Sequence, residues 1–159
     1  MDCSRRTILA VDAGTSSVKG VLAQPPSEDT DWVVISSTSR QLPPPLVGDD
    51  GSAEQDASLW WDAALAVMRE LLPTDICARR SIRAISLSGQ MQSVLLADTS
   101  GAPIRPAILY LDSRAEAEAN EIESEIGIDR IRDLTNWKGA VSVLPKLLWL
   151  HRSSHTPPH

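Results

Sequence analysis

The 159-residue chain predicts an α/β fold layered on a mixed sheet. Three observations lead there: β-branched and apolar runs of strand length fill the N-terminal quarter, a helical period takes over from Asp56, and strand-length runs return before further helical faces. At 42% apolar composition the chain is long enough for one globular domain with a real core.

Residues 8–11 (Ile8, Leu9, Ala10, Val11) read as a buried strand ending in the carboxylate of Asp12. Gly14 permits a tight turn, and residues 18–22 restart an apolar strand. Thr15 and Ser16 then stand at the tip of a hairpin, offering hydroxyls and backbone N–H groups to a phosphate. Asp12 is placed to hold a hydrated Mg²⁺, and Lys19 to add a point charge. Lys19 precedes Gly20 and strand-like residues follow, so this is not a Walker A loop. An ordinary Gly-Thr-Ser hairpin is the alternative reading.

After a polar, Pro-containing turn over residues 24–31, residues 32–35 (Trp32, Val33, Val34, Ile35) predict a third strand. Residues 42–51, with three consecutive prolines and the Asp49-Asp50-Gly51 cluster, read as a surface loop. Trp60, Ala63, Ala64, Val67, Met68 and Leu71 recur at helical spacing, with Asp56 or Ser58 as cap and Pro73 as terminator. Residues 82–87 and 94–97 read as a strand pair, and residues 106–111 as a further apolar run. Ala115, Ala119, Ile122 and Ile126 mark a helix face, whose acidic side (Glu116, Glu118, Glu121, Glu123, Glu125) reads as solvated surface.

Fifteen Lys and Arg against 21 Asp and Glu give a net charge of −6, concentrated in the first 80 residues, so no basic patch serves nucleic acid. Cys3 and Cys77 fit neither a metal spacing nor a disulfide framework. The run after Arg5 and Arg6 is too short for a signal peptide or membrane span. These features predict a soluble, cytoplasmic protein with no membrane partner.

Two more constellations carry polar chemistry. In residues 86–93 a strand meets Gly89 and then presents Gln90 and Gln92 around Met91. Amides donate and accept, as a sugar or polyol requires, although a polar turn with Met91 tucked into the core is the alternative. In residues 107–114 Tyr110 is placed to wall such a pocket. Asp112 either caps the following helix or, with Arg114, anchors the loop.

These segments resemble the FGGY family of carbohydrate kinases, most closely its xylulokinase-like branch. The likeness runs through residues 11–19, Glu54-Gln55-Asp56 with Trp60-Trp61, Ser88-Gly89-Gln90-Met91, Arg105 to Leu109 with Asp112 and Arg114, and Pro145-Lys146-Leu147-Leu148-Trp149-Leu150, in order. The resemblance implies a ribonuclease-H-like, actin-like ATPase domain, here incomplete: a partial N-terminal sugar-kinase domain over residues 1–150 and an unstructured tail over 151–159. It implies ATP with Mg²⁺ as cofactors, and a ketopentose such as xylulose, or a similar polyol, as phosphoryl acceptor. Asp12 matches the family's Mg²⁺-associated carboxylate; Gly14, Thr15 and Ser16 match its phosphate hairpin, and Lys19 the basic residue behind it. Gln90, Met91, Gln92, Tyr110 and Asp112 match the sugar side. Two positions depart from the xylulokinase pattern: Gln92 stands where those enzymes carry histidine, and Tyr110-Leu111-Asp112 replaces Trp-Asn-Asp. The family's catalytic aspartate matches no residue of this chain, which predicts an N-terminal portion inactive alone. The rival readings are a non-catalytic sugar-binding or interaction fragment and another actin-like ATPase; residues 89–93 argue against the second.

Overall fold

Period-two alternation dictates the first hairpin. In the computed structural model, which describes residues 6–27 and 30–153, β1 (Thr7–Ala13) and β2 (Ser17–Gln24) pair antiparallel, with Val11 opposite Gly20 and Asp12 opposite Lys19. One face therefore carries Leu9, Val11, Val18 and Leu22, all buried, and the other carries Asp12 and Lys19, both exposed. The β-branched run past Trp32 becomes β3 (Val33–Gln41), antiparallel to β2, and β6 (Ile82–Gly89) lies parallel to β1. The resulting order β3-β2-β1-β6 is the expected mixed sheet. Between β3 and β6 the chain forms β4 (Leu46–Val47), β5 (Ala53–Gln55), α1 (Ala57–Leu71) and α2 (Ile76–Arg80).

The apolar face of α1 supplies Ala63, Val67 and Leu71 to the core built on Leu9, Val11, Val18 and Leu22. Gly20 makes this approach possible, since a Cβ there would lie 2.3 Å from Val67 Cγ1 and 2.7 Å from Leu71 Cδ1. At the far side of the same helix, Glu70 accepts from Thr38 Oγ1 at 2.8 Å and pairs with Arg40, fastening α1 to β3. Asp75 caps α2 by accepting from Ala78 N at 2.9 Å.

The fold divides into two compact units, and this α/β sheet with its helices is the first (1–44 and 58–90). The second (45–57 and 91–159) holds the small antiparallel sheet β4-β5-β7, with β7 at Ala107–Ile108. Its helices are α3 (Glu116–Ile126), α4 (Ile128–Leu134) and α5 (Val143–Ser153), with a 3₁₀ turn at Gly139–Val141. Val94, Ile108 and Leu150 form its core cluster, with Leu96 and Trp149 packed against them.

Several expectations change. Residues 94–97 do not pair with the strand at 82–87. Val94 instead bridges Ile108 and Ala97 bridges Pro103, and these bridges stay isolated because Pro103 and Pro106 lack the N–H groups an extended ladder needs. The loop over 42–51 contains β4, and β5 follows it. Asp112 caps no helix: α3 begins at Glu116 behind Ala115, with no side-chain cap. Glu118 is buried rather than solvated, facing Arg152 at 3.5 Å, and Glu123 accepts from Trp137 Nε1 at 2.6 Å. The tail does not start at residue 151. The α5 helix runs through Ser153, and Arg152 makes a two-pronged pair with Glu121 at 2.7 and 2.8 Å. The expectations for Cys3, Arg5, Glu28, Asp29 and residues 154–159 lie outside the described residues. Among the described residues no helix is long and apolar enough to cross a membrane.

Candidate active site

The phosphate-side candidates gather at one end of the first unit's sheet. Asp12 is exposed near the end of β1, directly across the ladder from exposed Lys19. The turn between the strands is closed by Gly14 N donating to Ser17 O at 3.0 Å, and Leu42 N holds Ser16 O at 2.8 Å from the side of β3. Ser16 is thereby left at an exposed tip, with Thr15 half-buried behind it. A Cβ on Gly14 would lie 3.1 Å from Ser17 O, so the turn is as tight as the sequence requires. In the parallel register Asp12 faces Ser88 and Ala13 faces Gly89. Gly14 and Gln90 consequently leave the sheet side by side at the carboxyl end of β1 and β6, where open α/β sheets bind ligands.

The donor set suits a nucleotide phosphate with its metal. Mg²⁺ keeps several waters and is held through one or two carboxylates together with phosphate oxygens, which a single exposed carboxylate can do. Among the described residues no cluster of three His, Cys, Asp or Glu side chains forms a closed cage.

The sugar-side candidates of the second unit are organised by buried charge. Met91 is 77% exposed, which removes the reading that tucked it into the core. Gln92 has φ 60, the sole positive φ of a non-glycine among the described residues, a conformation that costs about 1–3 kcal/mol unless its surroundings impose it. Reciprocal bonds between Val94 and Ile108, at 2.8 and 2.9 Å, join the Gln92 segment to the Tyr110 segment. Tyr110 is 44% exposed and stands on a turn closed by Asp112 N donating to Leu109 O at 3.1 Å. Gln92 also lines a cleft of about 370 Å³ with Ile131, Leu134, Asn136, Trp137 and Ser142.

Of the two readings of Asp112, a helix cap or an anchor of the loop with Arg114, the structure shows the second. Its carboxylate is fully buried, accepts from Ala53 N at 2.7 Å, and takes Arg114 Nε and Nη2 at 3.0 and 2.6 Å. Arg114 also reaches Glu54 at 2.8 Å, and Arg105 meets the same Glu54 oxygen at 2.6 Å. Both guanidinium groups stack on the Trp149 ring, 4.9 Å away for Arg114 and 5.6 Å for Arg105. Burial pulls the Arg114 pKa down, but its bonds to Asp112 and Glu54 outweigh that and hold it above the usual value. As placed, Asp112 anchors the Tyr110 turn from behind, and both its oxygens are committed to the fold.

Lys146 belongs to this network and had no role in the sequence reading. It is 1% exposed, and its ammonium donates to Gln92 O at 3.1 Å and to Leu109 O at 2.7 Å. Burial lowers its pKa to about 8, with Asp112 opposing and Arg114 reinforcing the shift. Its signal was available: a lone charge beside Pro145 and four residues before Leu150 sits on the buried stripe of α5.

With this geometry in view, the relatives agree with one another. Residues 7–157 match the FGGY family of carbohydrate kinases, N-terminal domain. The chain belongs to that family. The xylulose kinase of Staphylococcus xylosus is 32% identical over 144 residues, covering 90% of this chain and 28% of that protein. The crystal structure of xylulose kinase from Rhodospirillum rubrum superposes with a TM-score of 0.72 at 30% identity, over 92% of this chain and 30% of the other. That of gluconate kinase from Lactobacillus acidophilus gives 0.77 at 25% identity, over 95% and 29%. These likenesses establish the actin-like ATPase fold expected of an FGGY domain. The chain spans less than a third of the length of these FGGY relatives.

Proposed function

We propose that this FGGY domain is the N-terminal part of a cytoplasmic, ATP-dependent sugar kinase that transfers the γ-phosphoryl group to a hydroxyl of a ketopentose such as xylulose, or of a similar polyol. The observation that carries the reading is the shared end of β1 and β6, where the Asp12 carboxylate, the Gly14 turn, the Ser16 tip and Gln90 converge. Two strongly similar relatives named as xylulose kinases support the ketopentose, while the gluconate kinase keeps the acceptor class broad.

Mg²⁺-ATP supplies the phosphoryl group when bound. Asp12 holds the hydrated cation, Thr15 and Ser16 with the turn's backbone receive phosphate oxygens, and Lys19, opposite Asp12, balances phosphate charge. Gln90, Met91, Gln92 and Tyr110 face the sugar. The neutral amide of Gln92, in place of an imidazole, pairs with a hydroxyl either as donor or as acceptor without changing charge. Asp112 serves the same pocket indirectly, by fixing the turn that carries Tyr110. Phosphoryl transfer is mostly positioning and electrostatic stabilisation, so loss of the Mg²⁺ carboxylate damages turnover rather than folding. In the full-length enzyme, Asp12→Ala is expected to cut sugar-dependent ATP consumption by orders of magnitude, with the circular dichroism spectrum unchanged because Asp12 is exposed. Wild-type turnover in that variant would remove Asp12 from the site.

A further inference from the structure

We propose that Lys146 is a positioning residue for sugar recognition: its buried ammonium ties the carbonyls of Gln92 and Leu109 together and so holds Gln92 in its left-handed conformation. The inference rests on the reading of Gln92 and Tyr110 as sugar contacts.

Two tethers join the segments that carry these residues. The first is the reciprocal backbone bridge between Val94 and Ile108. The second is Lys146, whose bonds reach Gln92 O at 3.1 Å and Leu109 O at 2.7 Å from α5, 54 and 37 residues away in sequence. The peptide between Gln92 and Val94 is therefore pinned at both ends. With φ at 60, an L residue such as Gln92 relaxes toward negative φ once one pin is removed. Such a rotation redirects the Gln92 side chain and Met91 before it, yet the Val94–Ile108 bridge survives.

A buried ammonium is a costly way to fill space, and here it neutralises no adjacent carboxylate by direct contact. Its two hydrogen-bond partners are both backbone carbonyls. Charge-assisted donors make the firmest bonds to such groups, which suits a tether better than a packing element. Pro145, beside it in the first turn of α5, fixes the backbone from which the lysine stem departs. Sugar affinity is thus set partly by a residue whose only role is to aim its neighbours.

The test is a double-mutant cycle in the full-length enzyme, using Lys146→Met, which keeps the apolar stem, and Gln92→Gly, which adopts positive φ without strain. In the wild-type background, Lys146→Met is expected to shift the urea-unfolding equilibrium about tenfold toward the unfolded state. In the Gln92→Gly background the same substitution should cost at least about threefold more, because no strain is released there to offset the lost bonds. Steady-state kinetics of Lys146→Met should show the xylulose KM raised about tenfold, with the ATP KM and kcat within about twofold of wild type. Equal unfolding costs in the two backgrounds would overturn the tethering role. Thermodynamic coupling with an unchanged xylulose KM would leave the tether in place and sink the assignment of Gln92 to the sugar side, so the two failures are distinguishable. Should Lys146→Met not fold, Lys146→Gln retains two N–H donors and is expected to recover folding and part of the xylulose affinity. Failure of both variants to fold would place Lys146 in general core packing and overturn the proposal.

Discussion

Asp112→Asn isolates what the buried network contributes, because it keeps the side chain's shape and removes its charge. In the native structure the carboxylate receives four groups: Ala53 N at 2.7 Å, Arg114 N at 3.2 Å, Arg114 Nε at 3.0 Å and Arg114 Nη2 at 2.6 Å. All are donors. An asparagine offers one acceptor oxygen and turns its NH₂ toward at least one of them, leaving a buried N–H unpaired at about 1–3 kcal/mol. Removing one partner of a buried ion pair costs about 3–5 kcal/mol when the other charge is stranded. Here Arg114 keeps Glu54 at 2.8 Å and the Trp149 face at 4.9 Å, so the lower end applies, about 3 kcal/mol. Urea unfolding followed by tryptophan fluorescence reads this directly, with Trp149 as a reporter beside the guanidinium groups. A loss below about 1 kcal/mol would show that Asp112 is not the anchor of the Tyr110 turn, because that is the value of an ordinary solvated pair. Arg114→Lys is the companion variant: it preserves charge but loses the two-pronged geometry and the planar stack, so it should be destabilised in the same direction.

Two further outcomes are expected. Gln92→Ala should weaken use of the sugar by about 1–3 kcal/mol in kcat/KM while leaving the ATP KM near wild type, and Gln92→His should improve use of xylulose; equal effects on both substrates would move Gln92 out of the sugar pocket. Burial lowers the Lys146 pKa from 10.5 to about 8, with Asp112 opposing and Arg114 reinforcing the shift, so the unfolded chain holds more protons between those values. Wild type should therefore gain on Lys146→Met, by up to about 3 kcal/mol, as pH rises through that window, and parallel urea midpoints at neutral and alkaline pH would refute the buried ammonium.

The first hairpin was legible because its information is local. Alternating apolar residues, a terminal carboxylate and a glycine where the chain must turn specify both register and tip, and the register places Asp12 opposite Lys19 without any help from distant residues. The α1 helix was legible for the same reason, its apolar stripe matching the face that meets β1 and β2. The second unit was less so. The β5 strand is three residues long and β7 two, too short for periodicity to register, and both exist because Ala53 N–H finds Asp112 and Ala53 O takes Leu109 N at 2.9 Å. Asp112 reads in sequence as a helix cap or, with Arg114, as an anchor of the loop. Its pairing with neighbouring Arg114 was legible as a loop anchor, but Glu54 and Ala53, brought in from elsewhere in the chain, were not. Glu118 likewise belongs to an acidic run whose spacing is that of a solvated face, until Arg152 arrives from α5.

The two groups of candidate residues, one in each unit, thus rest on different physics, which predicts how each tolerates change. At the phosphate hairpin the recognising groups are held by backbone: a Gly14–Ser17 turn and a cross-strand register that persist whatever side chain occupies Asp12, Ser16 or Lys19. Function can be removed there while the fold stays. The segments of Gln92 and Tyr110 are instead held by buried charges, so if they carry the sugar contacts proposed above, stability and specificity are coupled through Asp112, Arg114 and Lys146. Exposed residues such as Met91 and Tyr110 can therefore vary at little cost to the fold, whereas the buried tethers cannot. Gln92 and Tyr110 sit on segments that Lys146 and Asp112 hold by hydrogen bonds from buried positions, so substitutions at the first pair are expected to change binding and at the second pair to change both binding and stability.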